Sequence, residues 1–311
     1  MSKSVLDAKA LRDEAAAYAW VEARLWPNGP VCPHCGGVDR ISKMQGKSTR
    51  IGVYKCYQCR KQFSVKVGTV FEDSHVPMHL WLQAVYLMCS SKKGVSSNQL
   101  HRTLGVTLKT AWFMSHRLRE AMRNIDVSPM GGDGGIVEID ETYIGRKEGV
   151  PQGHRGGHHK NIVLTLVERG GSARSFHVDG MAASDVIPII KDNIERESHV
   201  MTDEAARYNK LGDDFANHDR VDHSREEYAY TDRVTNIVIS TNTVEGYYSI
   251  FKRGMKGIYQ HCKEKHLHRY LAEFDFRYSN RARLGVDDVE RTERAVKGVV
   301  GKRLTYRTTR I

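Results

Sequence analysis

Two Cys-x-x-Cys pairs, Cys32-Pro33-His34-Cys35 and Cys56-Tyr57-Gln58-Cys59, stand twenty residues apart near the start of this 311-residue chain. Two knuckles at this separation present four thiolates to one tetrahedral zinc ion, so the residues between them must double back. Within that loop Arg50-Ile51-Gly52-Val53-Tyr54-Lys55 alternates like a hairpin strand. The prediction is a zinc ribbon over residues 30–72 with one structural Zn2+ held by Cys32, Cys35, Cys56 and Cys59. Paired thiols used as metal ligands belong to a reducing compartment. No membrane-length apolar run or signal-peptide pattern is present, and a cytoplasmic protein that engages no membrane is expected.

Charge points to the partner. Lys and Arg outnumber Asp and Glu by 48 to 37, for a net charge of +11, which favours a polyanion over a small metabolite. The ribbon is the most one-sided part: Arg40, Lys43, Lys47, Arg50, Lys55, Arg60, Lys61 and Lys66 face only Asp39. Before it, apolar spacing predicts a helix over residues 5–26, stopped by Trp26-Pro27-Asn28-Gly29-Pro30. After it, Cys89 lies in an apolar stretch and reads as a core thiol. Residues 94–122 have helix-turn-helix spacing: Ser96 or Ser97 caps one helix, Gly105 permits the turn, and Thr107 caps the next. Lys109, Thr110, His116 and Arg117 are then the candidates to approach DNA, although two ordinary packed helices give the same pattern.

The glycine-rich Met130–Gly135 segment reads as a linker. Beyond it, strands are expected at 136–140, 161–168 and 173–178, a helix at 184–195 capped by Ser184, and a strand at 198–203. This pattern gives a mixed α/β domain with three or more strands. Asp140 and Asp203 each close an apolar strand, and Glu245 occupies the first turn of a helix begun by Thr241 or Asn242. Carboxylates gathered in this way suit a pair of hard cations, Mg2+ or Mn2+, and in-line chemistry at phosphorus. Lys252 follows Glu245 by two helical turns on the same face, within reach of a phosphate; Arg253 is a further DNA candidate. Glu138, Glu141 and Glu204 compete for the acidic roles. His223 and His261 are better read as structural, and Tyr247, Tyr248, Phe251 and Tyr259 as packing.

Residues 20–285 resemble the bacterial insertion-sequence DDE transposases that carry an N-terminal zinc ribbon, the ISXO-like group. The resemblance rests on the two cysteine pairs, Glu-Ile-Asp-Glu-Thr-Tyr-Ile-Gly at 138–145, Thr-Asp-Glu at 202–204 and Asn-Thr-Val-Glu-Gly at 242–246. Lys-Arg-Gly at 252–254 and Glu-Phe-Asp-Phe-Arg-Tyr at 273–278 complete it. It implies a multidomain α/β chain: an N-terminal helix (1–29), the ribbon (30–72), a helical DNA-binding segment (73–128), a ribonuclease H-like, retroviral-integrase-type catalytic domain (129–285) and a basic tail (286–311). It also implies double-stranded DNA as partner, at element ends and at the target, a homo-oligomeric active complex near the nucleoid, and metal-dependent cleavage and strand transfer. Asp140, Asp203 and Glu245 would be the metal-binding triad with Lys252 beside them; the third position varies in this group, and Asn242 competes for it. The alternatives are a zinc-ribbon regulator without catalysis and a nuclease that cuts without joining.

Overall fold

The computed structural model describes residues 4–125, 128–151 and 157–305. They form two compact units, Met1–Arg123 with Asp287–Ile311, and Asn124–Val286.

The first unit opens differently from the single helix expected. Two 3-10 turns, Val5–Asp7 and Lys9–Leu11, precede α1 (Glu14–Leu25). The reason is Asp13, whose carboxylate accepts the Ala16 N–H at 2.7 Å and so starts a fresh helix. The chain leaves α1 at Trp26-Pro27, where the breaker cluster predicts it. The ribbon follows as an antiparallel sheet of β1 (Ile41–Lys43), β2 (Tyr54–Cys56) and β3 (Gln62–Phe63). Trp26, Tyr54 and Phe63 pack edge-on and stacked, with centroids 5.4–5.8 Å apart, against the cysteines.

Then come α2 (Met78–Ser90), α3 (Ser97–Leu104) and α4 (Leu108–Met122). Both caps are as the sequence indicates: Ser96 Oγ accepts from Gln99 N at 3.1 Å, and Thr107 Oγ1 accepts from Thr110 N at 3.1 Å. Gly105 makes the left-handed turn with φ 67°. Cys89 is fully buried, as expected.

In the second unit, β4 (Ile136–Ile144), β5 (Asn161–Glu168) and β6 (Ala173–Val178) form an antiparallel meander. α5 (Ala183–Asn193) leads to β7 (His199–Asp203), which pairs parallel to β4, and to β8 (Asn217–Val221), which pairs parallel to β7. The resulting five-stranded order is β6-β5-β4-β7-β8. α5 begins one residue ahead of Ser184, where Asp185 accepts the Ala182 N–H at 3.1 Å. A small hairpin, β9 (Ala229–Thr231) with β10 (Val238–Ser240), precedes α6 (Asn242–Gly254), a π-helical turn at Met255–Tyr259, and α7 (Leu267–Ser279).

Alternation along the strands makes the sheet two-faced. Val137, Ile139, Ile162, Leu164 and Leu166 pack on one side with Val186 and Ile190 of α5. Val163 and Val167 pack on the other with Tyr247, Tyr248 and Phe251 of α6 and with Leu271 and Phe274 of α7. Met130–Gly135, read from sequence as a linker, lies inside this unit. Met130 is buried and bridges Ile194, and Gly131 (φ 82°) passes so close to Ser198 that a Cβ would meet its Oγ at 2.2 Å.

The segment expected as a basic tail instead supplies α8 (Asp288–Lys297), which packs on α2 within the first unit. Arg291 Nη1 donates to the Cys89 carbonyl at 2.9 Å, and Arg24 pairs with Glu293. Lys302 donates to the carbonyls of Ala121 and Arg123. Arg307 and Arg310 lie outside the described residues.

Candidate active site

β4 runs four residues past the expected end at Asp140. Its ladder with β5 continues from Val137 to Ile144, whereas its parallel ladder with β7 stops at Glu138↔Met201. Asp140 is therefore mid-strand on one side and just beyond the last rung on the other. Carrying the β4–β7 register two residues further brings Asp140 level with Asp203, and neighbouring parallel strands are about 4.8 Å apart. Asp140 also shares a strand face with Glu138, toward α6.

The electrostatics agree with a gathered acidic group. Burial pushes the Asp140 carboxyl up to about 7, reinforced by the charges of Asp203 and Glu245 and opposed by Lys252 and Arg207. Asp203 is raised too, first by burial, against the Ala205 N–H that its Oδ1 accepts at 3.1 Å. Glu245 stands in the first turn of α6, accepts from Thr241 Oγ1 at 3.2 Å and lies 3.7 Å from His223 Nε2. Asn242 is an exposed residue at the helix start. Lys252 Nζ sits 5.8 Å from the Tyr248 ring, and the Tyr248 hydroxyl donates to the backbone carbonyl of Asp140 at 2.6 Å. Oxygen donors that repel one another when ionised are the donor set a hard divalent cation neutralises. The acids are nevertheless more open than the cysteines. Among the described residues, the four cysteines are the group whose ligand atoms all lie within 4.8 Å of one another.

The competing acids are engaged elsewhere. Glu141 pairs with Arg207 and accepts the Tyr208 hydroxyl at 2.7 Å. Glu204 accepts the His223 N–H at 3.1 Å. Glu138 is fully buried and serves as a cap for α6, the role the sequence assigned to Thr241 or Asn242. Its Oε2 accepts the N–H groups of Thr243 and Val244 at 2.6 and 3.0 Å, and its Oε1 accepts from the Thr243 hydroxyl at 2.7 Å and from Arg169 Nε at 2.6 Å. A cap borrowed from another strand leaves no local signal; the available hint was that Glu138 shares a strand face with Asp140. Tyr247, Tyr248 and Phe251 are buried as packing residues, while the Tyr259 hydroxyl bonds Glu273 at 2.5 Å.

A cavity of about 860 Å³ lies past the far end of β4, between residues 144–151 and the turn from Met255 to Glu264. Arg146, Lys147, Lys256, His261 and Lys263 are among its walls.

Of the helix-turn-helix candidates, Lys109 is exposed and Thr110 half-buried, its hydroxyl 2.8 Å from that of Thr107. His116 and Arg117 are buried instead of facing DNA. Arg117 is held by the carbonyls of Val70, Glu72 and Leu304 at 2.7–3.2 Å. In the ribbon, Lys66 likewise turns inward to the carbonyls of Ser74 and Val76, whereas Arg40, Lys43, Lys47, Arg50, Arg60 and Lys61 are exposed. Arg253 is exposed beside Lys252.

The cysteine cluster fits one tetrahedral ion. Cys32 and Cys59 are 3.6 Å apart at sulfur, and Cys35 and Cys56 are 3.7 Å apart; Zn–S bonds of about 2.3 Å give tetrahedral S···S edges of about 3.8 Å. Backbone N–H groups, of Cys59 first and then Gln58, bring the Cys56 thiol down to about 7.

Residues 133–279 match the ISXO2-like transposase domain, and residues 12–62 match the transposase zinc-ribbon domain. The chain is similar to the ISXO2-like transposases over both matched stretches. A similar protein of Halobacterium salinarum, described as an uncharacterized protein in transposable element ISH50, is 29% identical over 268 residues, which cover 81% of this chain and 86% of the relative. The transposase-domain match contains Asp140, Asp203, Glu245 and Lys252, and the ribbon match contains all four clustered cysteines. No helix among the described residues is long and apolar enough to cross a membrane.

Proposed function

We propose that this transposase binds the inverted ends of an insertion sequence, cleaves strands there and transfers the freed 3'-hydroxyl into target DNA. The observation that carries the reading is the alignment of Asp140 with Asp203 on adjoining parallel strands, with Glu245 close enough to raise the Asp140 carboxyl. A meander of three antiparallel strands followed by two parallel ones supports a ribonuclease H-like catalytic domain. Asp140, Asp203 and Glu245 would hold two Mg2+ or Mn2+ ions. Bound there, such ions activate the attacking oxygen and stabilise the leaving one. Glu245 is favoured over Asn242 as third ligand because its charge reaches Asp140. Lys252, beside the Tyr248 ring, would meet a phosphate near the scissile bond. The four-cysteine ribbon, built around one Zn2+, offers its exposed basic side chains to double-stranded DNA, with Lys109 and Arg253 as further contacts. Two ends must be brought together, so a homo-oligomer is the expected working form.

The test is a cleavage and joining assay with the purified chain, DNA from the borders of its own element, and Mg2+ or Mn2+. Asp140→Ala and Asp203→Ala are each expected to reduce nicking and joining by at least about 1,000-fold, since losing either carboxylate leaves the two-ion site incomplete, while binding to end DNA is kept. Parental joining in either variant would refute the site. Nicks without joined products would instead identify a nuclease.

A further inference from the structure

Glu138 has no place in the chemistry above, yet it is the most heavily engaged acid near it. It is fully buried, and its two oxygens take four hydrogen bonds: two backbone N–H groups and a hydroxyl from the first turn of α6, and Arg169 Nε. Arg169 in turn donates to the Val238 carbonyl at 2.5 Å, to the Ser240 carbonyl at 3.0 Å and to Ser240 Oγ at 2.8 Å, which fixes the strand that leads into α6. Glu138 lies two residues before Asp140 on the same strand face. The amides it holds, Thr243 and Val244, immediately precede Glu245. We propose that Glu138 is a positioning residue that pins the start of α6 to β4, and so sets the distance of Glu245 from Asp140.

This inference rests on the metal-site reading above. A carboxylate facing helix N–H groups is favoured by the helix dipole as well as by the hydrogen bonds. A neutral amide in its place weakens both and turns an –NH2 toward donors. α6 then frays at the turn that carries Glu245. The acidic group loosens without losing a ligand, and Mg2+, which demands near-ideal octahedral geometry, suffers more than Mn2+.

The experiment compares the full-length parent, Glu138→Gln, Thr243→Val and Asp140→Asn by two readouts besides activity. These are amide hydrogen exchange over residues 242–248 and the rise in Tm during Mg2+ and Mn2+ titration. Glu138→Gln is expected to speed exchange at the start of α6 by about tenfold and to weaken the Mg2+ midpoint by about 10–100-fold, with a smaller loss for Mn2+. Thr243→Val removes one of the four bonds and should move both readouts the same way by a smaller factor. It serves if Glu138→Gln does not fold. Parental exchange and parental midpoints in these variants would overturn the inference alone. No cation response in the parent, or an unchanged response in Asp140→Asn, would overturn the metal-site reading and this inference with it.

Discussion

At Asp140 the proposed metal site and a cost in stability would fall on a single residue. Its carboxyl is raised from 3.8 to about 7, chiefly by burial and then by two neighbouring acids. Between those values the folded, cation-free protein keeps a proton that the unfolded chain has released, so stability should fall as pH rises through that window and level off above it. A divalent cation competes with that proton. The Tm gain from Mg2+ is therefore expected to be larger at pH 8 than at pH 5, and to lose much of its pH dependence in Asp140→Asn, where the raised Asp203 still competes. A calorimetric gain independent of pH in the parent would remove Asp140 from the cation's ligands. Asp140 and Asp203 could be singled out in sequence because an apolar run leads up to each, although Asp140 lies within its strand and not at its end. Glu138 was not, since its partners come from residues 169, 243 and 244.

α3, α4 and their caps were legible because Ser96, Gly105 and Thr107 are local punctuation, whereas the direction of each side chain depends on what packs beside it. His116 and Arg117 are the instructive pair: a basic residue on a second helix reads as a DNA contact until the loop after the ribbon is found to supply carbonyls to it. Arg117→Ala should cost about 2–4 kcal/mol of stability through three lost charged hydrogen bonds. Lys109→Ala should leave stability nearly unchanged. Denaturant midpoints of the two variants check this, and equal midpoints would contradict the assignment. The strand β8, Asn-His-Asp-Arg-Val, was missed for a related reason. It is an edge strand with only Val221 buried, so neither apolar alternation nor an apolar run marks it.

Across the whole molecule, the two units differ in what holds them. The sheet of the second unit has apolar layers on both faces, while the ribbon has only a small cluster around its cysteines, Trp26, Tyr54 and Phe63 with Ile41 and Val67. Stripping the metal with a chelator is expected to unfold the ribbon, read by a change in tryptophan emission as Trp26 becomes exposed, and to leave the strand signal of the second unit in place. Unchanged emission would mean the ribbon stands without its ion. The break after Arg123 falls a few residues before the boundary expected at 128/129, because the glycines that read as a linker, at 131–135, make a tight turn inside the second unit instead. The return of the chain to its first unit through α8 has a consequence for biosynthesis. A ribosome adding about 5–20 residues per second spends roughly ten to thirty seconds on residues 124–286 before α8 emerges. Throughout that interval the surface of α2 that receives Arg291 waits uncovered, so of the two units the one begun earlier is the one completed later.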